Sequence, residues 1–121
     1  MEKEVQNIKN AIYNNDWNGD STLLKDMENF IYSDNLKNNT KVKNLDMPLI
    51  NLIDDIKELI STLQRLNPIY LDIEYNCSGL DTKSACKLHD VYYLEFVRLF
   101  KMFEKLFISI GESNMFSKKE V

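Results

Sequence analysis

Between residues 80 and 111 apolar side chains recur at steps of three and four: Ala85, Leu88, Tyr92, Phe96, Leu99, Phe103, Leu106 and Ile110. That period puts them on one line of an α-helix and predicts a long C-terminal helix over about 82–110. Phe100 and Phe107 widen the line on one side and Val91 and Met102 on the other, so the apolar arc approaches half the circumference. Such a helix is stable only when other elements cover it. A second clean pattern precedes it. Leu49, Leu52, Ile56, Leu59, Leu63 and Leu66 form a heptad-type seam with Ile53 and Ile60 beside it. Asp46 followed by Met47-Pro48 is a helix opening, an acidic cap and then a proline in the first turn. The seam is shorter than three heptads, which favours a bundle helix over 47–66 rather than a free-standing coiled coil.

The remaining segments are less regular. Residues 2–15 read as a thin helix with Val5, Ile8 and Ile12 on one face and Lys9 among the polar positions. Asn14-Asn15-Asp16 ends it, and Trp17, the only tryptophan, is expected to plug the end of the bundle from the turn that follows. A helix over 21–35, capped by Asp20 or Ser21, buries Leu23, Leu24, Met27, Phe30 and Ile31. Residues 36–45 hold three lysines, no acid and no helical period, and are expected to be a solvated loop. Asn67-Pro68 is expected to end the heptad helix, because a residue before proline is pushed out of the helical region. Residues 69–75 alternate like a strand, yet nothing else in the chain alternates to pair with them. A separate short helix over 68–77 is therefore expected, with Gly79 as its stop and Asp81 capping the last helix. Residues 112–121 form a polar tail expected to fray.

These elements predict an all-α, single-domain bundle of four to five helices packed around the C-terminal one. Composition agrees with that. A chain of 121 residues with only three Gly and two Pro has too few turn-formers for an all-β fold. A chain of this length can bury roughly 65% of the surface exposed when unfolded. The net charge of −4 sets a field that repels nucleic acid and anionic membranes. Arg98, Lys101, Glu104 and Lys105 interrupt the most apolar stretch, so no membrane span is read there. Met1-Glu2-Lys3-Glu4 opens without a signal-peptide core, which leads us to expect a cytoplasmic protein. Cys77 and Cys86 are too widely spaced for a redox or zinc half-site and are expected to be free thiols.

Little catalytic chemistry is on offer. His89 is the single histidine, which excludes two-histidine metal sites, and His89-Asp90 alone is a weak general-base pair. Asp54, Asp55 and Glu58 point in different directions and read as a solvated face. The sequence contains no glycine-rich phosphate loop. No cofactor, metal or catalytic residue is expected. Trp17-Asn18-Gly19 resembles the Trp-x-Gly turn of the small helical-hairpin substrates of a specialised bacterial secretion system. That resemblance covers three residues, and no Tyr-x-x-x-Asp/Glu signal follows the last helix, so no function is carried over.

What remains is binding. Aromatic and Met side chains exceed what a small bundle must bury, and Tyr93, Leu94, Phe107, Met115 and Phe116 are the candidates for an exposed partner-binding patch. The expected function is a non-enzymatic adaptor, inhibitor or immunity-type protein that binds another protein stoichiometrically, with a homodimer through a helical face as one form of that contact. One alternative is an obligate subunit of a larger helical complex. Another is a helix-turn-helix-like DNA-binding regulator, in which 69–89 would supply a short helix, the turn Ser78-Gly79-Leu80 and a recognition helix. Tyr75 sits where that motif needs a small residue, and few cations are available for phosphates.

Overall fold

A computed structural model describes residues 2–14, 21–76 and 82–111, and side chains within them except at 2, 21, 69–76, 82–86, 88 and 89. The expected Trp17 plug, the Asp20, Gly79 and Asp81 caps and stop, the Ser78-Gly79-Leu80 turn, Cys77 and the 112–121 tail lie outside the described residues. The fold is an all-α bundle. Its helices are α1 (Glu2–Tyr13), α2 (Ser21–Ile31), α3 (Asp34–Lys37), α4 (Thr40–Lys43), α5 (Met47–Asn76) and α6 (Thr82–Ser109). No strand occurs among the described residues.

The centre is an antiparallel hairpin of α5 and α6. These helices are about 45 and 42 Å long at 1.5 Å per residue, and Leu49 and Leu52 at the start of α5 meet Ile108 and Ser109 at the end of α6. The α6 line behaves as its spacing predicts: Tyr92, Phe96, Leu99, Phe103 and Leu106 are fully buried. Val91 departs from it. It stands half exposed, on the outer side of the arc rather than at the edge of the core. On α5 the buried set is Leu49, Ile53, Ile56, Leu59, Ile60 and Leu63, while Leu52 and Leu66 are only partly covered. The face in contact has thus rotated toward the Ile53–Ile60 line.

Two expectations about α5 and its approach are corrected. The helices expected over 47–66 and 68–77 are one continuous helix with Pro68 inside it. An interior proline costs about 3 kcal/mol because it removes an amide donor and crowds the preceding turn. Here that cost falls on an exposed position beside an open groove lined by Gln64 and Pro68. Next to it, the buried Asn67 Oδ1 accepts a hydrogen bond from the buried Tyr92 hydroxyl, tying α5 to α6 at the proline. The segment 36–45 is not a loop either. Ser33 caps α3 by accepting from the Leu36 amide at 3.3 Å while its hydroxyl donates to the Phe30 carbonyl at 2.7 Å. Asn39 caps α4 by accepting from the Lys41 amide at 3.0 Å. Each helix is a single turn, too short to show a period in the sequence. Because Ser33 redirects the chain, α2 ends at Ile31 rather than at residue 35, and α1 likewise ends at Tyr13 rather than at residue 15. The Asp46 cap holds as predicted, its carboxylate accepting from the Leu49 amide at 3.2 Å.

The α2 helix lies over the hairpin with the expected face inward. Leu23, Leu24, Met27, Phe30 and Ile31 are buried, and the Phe30 ring stands 5.4 Å from that of Phe107 and 6.4 Å from that of Phe103. In turn, α1 packs on α2 through Ile8 and Ile12. Lys9, expected on a polar face, is buried instead: its stem lies along the core and its ammonium sits 5.6 Å above the Phe107 ring. An amphipathic stem with a π face for its charge makes that placement tolerable.

Candidate partner-binding surface

Of the five side chains predicted for a partner patch, the three that are described, Tyr93, Leu94 and Phe107, do not form one exposed surface. Phe107 is corrected: it is fully buried, enclosed by Phe30, Phe103 and the Lys9 ammonium. It belongs to the wide aromatic side of α6 that α2 covers. Tyr93 is half-buried, and Leu94 is 61% exposed. Met115 and Phe116 lie outside the described residues.

Around Leu94 the structure assembles a surface the sequence reading missed. Leu94, Arg98, Lys101, Lys105 and Ile108 follow one another at steps of four and three, and all are exposed. They occupy the line of α6 opposite Phe96, Leu99, Phe103 and Leu106. The same period that located the core thus locates its reverse side, where aliphatic and cationic residues share a row. Val91 extends the row toward the start of the helix. Arg98 pairs with Glu95 at 3.2 Å, a surface contact of little energetic weight. Among the described residues Lys101 and Lys105 make no hydrogen bond or ion pair.

The row ends at a groove of about 520 Å³ between the start of α5 and the end of α6. Pro48, Leu49 and Leu52 supply its apolar wall, and Lys41, Lys105 and Ile108 its edge. The Lys41 ammonium donates to the Ser109 carbonyl at 2.8 Å, placing a positive charge at the C-terminus of α6 where the helix dipole favours one. The α4–α5 connection carries two further exposed apolar side chains, Leu45 and Met47, on either side of Asp46, which itself lines the groove. Leu45 closes α4. Its amide donates to the Val42 carbonyl and the Asp46 amide to the Lys41 carbonyl, the paired bonds of a Schellman ending. That ending forces Leu45 to a φ of +58°, a conformation glycine or asparagine normally takes.

A groove of about 570 Å³ between α2 and α5 is lined by Gln64, whose amide donates to Glu28 on α2 at 2.9 Å. That bond, and then Lys25 at 3.1 Å, hold the Glu28 carboxyl below the usual carboxylate range. Asp54, Asp55 and Glu58 are exposed along α5. Among the described residues no three His, Cys, Asp or Glu side chains gather as metal ligands would, and no helix is long and apolar enough to cross a membrane. No family model, curated protein or solved structure matches the chain.

Proposed function

We propose that this chain is a non-enzymatic, cytoplasmic protein-binding bundle that acts stoichiometrically, as an adaptor, inhibitor or immunity-type protein. One observation carries the reading. The outer row of α6 presents Val91, Leu94 and Ile108 at 50%, 61% and 55% exposure, on a helix whose opposite side already fills the core. Single exposed aliphatics are ordinary, but three on one line of one rigid helix, spaced by cationic side chains, make a mixed surface suited to a protein partner. The rigidity matters. A face held by a buried core loses little further conformational freedom on binding.

The test is affinity capture with the full chain and with V91D/L94D, followed by quantitative mass spectrometry. A partner retained near one-to-one by the parent chain and lost by the variant, at equal helicity and melting temperature, supports the reading. Equal capture by both moves the contact off the outer row of α6, and no partner retained by either refutes the reading. Light scattering on the purified chain separates an independent binder, which is monodisperse alone, from an obligate subunit, which aggregates until its partner chains are co-expressed.

A further inference from the structure

We infer that the outer row of α6 and the groove at its end dock an acidic amphipathic helix of a partner protein. This rests on the protein-binding reading above and adds the chemistry of the partner. Three independent features converge on it.

The first is charge. The chain carries −4 overall, yet from Leu94 to Ile108 the row holds Arg98, Lys101 and Lys105 and no acid, with Asp90 one turn before it and Glu95 beside it pairing with Arg98, and Lys101 and Lys105 lack any partner among the described residues. A cationic row on an acidic protein selects for carboxylates and against a second like surface. The second is shape. From Leu94 to Ile108 the row runs about 21 Å at helical rise, and steps of four and three are the spacing at which a second helix interdigitates. The groove beyond it offers the apolar wall of Pro48, Leu49 and Leu52 for one anchoring side chain.

The third is Leu45. Its backbone is in the left-handed region at φ +58° and the residue is 70% exposed, so within this chain the leucine incurs strain while leaving most of its surface in solvent. Asparagine or glycine would satisfy the turn more easily. A leucine there makes physical sense if its side chain is covered from outside, and its chain neighbour Asp46 lines the groove. An anionic membrane fits less well. The broad apolar side of α6 faces the core, and a row with three separate aliphatics has too little apolar area to enter the acyl boundary.

The experiment is selection from a displayed library of randomised helical peptides against the full chain, with K101E/K105E and L45G as counter-targets. The expected winners are net acidic and carry aliphatic residues at steps of three and four. Their affinity falls at least tenfold with K101E/K105E, several-fold with L45G, and also with added salt. Neutral or basic winners, or acidic winners whose affinity is unchanged in either variant, overturn this inference while leaving the protein-binding reading standing. No enriched peptide at all counts against both. Two further results would also overturn it. One is sedimentation with phosphatidylserine vesicles that K101E/K105E abolishes. The other is a homodimer in light scattering that the same pair of substitutions dissolves.

Discussion

Replacing Phe107 by alanine tests the central rearrangement between expectation and structure. The ring is fully buried, 5.4 Å from Phe30 and 5.8 Å from Phe103, with the Lys9 ammonium over its face. Phe→Ala in a core costs about 3–5 kcal/mol, the spread reflecting how far the site collapses. Phe107 should lie in the upper half of that range. Two tilted ring pairs are each worth about 0.5–1.5 kcal/mol beyond area burial, and Lys9 loses the π face that makes its burial tolerable. We expect a loss near 4 kcal/mol. For a chain of 121 residues the unfolding entropy is about 0.25 kcal/mol per kelvin, so the melting temperature should drop by about 16 °C. Leu94→Ala on the same helix is the control: at 61% exposure it should stay within about 0.5 kcal/mol of the parent. Urea unfolding followed by far-ultraviolet circular dichroism reads both, with an unchanged m-value showing that the denatured state is not the cause. A loss below about 1 kcal/mol for F107A would return Phe107 to the surface and refute the placement of α2 over α6.

Tyr92→Phe should cost about 1–3 kcal/mol, because it leaves the buried Asn67 carbonyl oxygen without its donor. The double variant Y92F/N67L should recover much of that loss, and a double-mutant cycle showing no coupling would remove the bond from the α5–α6 contact. Leu45→Gly should stabilise the fold by up to about 1 kcal/mol by relieving the left-handed leucine, and a drop in urea midpoint would show that its side chain is anchored within the chain. Glu28 adds a pH dependence. Because Gln64 and Lys25 hold its carboxyl below the ordinary value of 4.5 reached when unfolded, its contribution is complete above that value and is lost as pH falls through the lower folded one. The urea midpoints of the parent and E28Q should therefore differ at neutral pH and converge in acid. A constant gap across the titration would contradict this.

The long-range architecture was legible wherever one side chain per turn reports one face. The Tyr92-to-Leu106 line, the α2 face and the Asp46 cap could be read because period and cap chemistry are local properties. Pro68 misled for the same reason. The rule that proline ends a helix concerns one turn, whereas the Tyr92–Asn67 bond and the length of α6 act across the interface. The single turns α3 and α4 follow from Ser33 and Asn39 as caps, a signal present in the sequence but outweighed by the lack of a period. The surface row was half legible. Leu94 was found, but Ile108 and Lys105 needed the question of what lies opposite the core. Leu45 could not be found, since its backbone angle is invisible in a string of residues.

The clasp from the Lys41 ammonium to the Ser109 carbonyl joins positions 68 apart in the chain. It ties the last turn of α6 to α4, a single turn too short to persist without neighbours. Solvent protection at this end of the molecule is therefore capped by its least durable member. Amides of residues 110 and 111, which close the end of α6, should exchange together with those of 40–43, and well before those near Phe96.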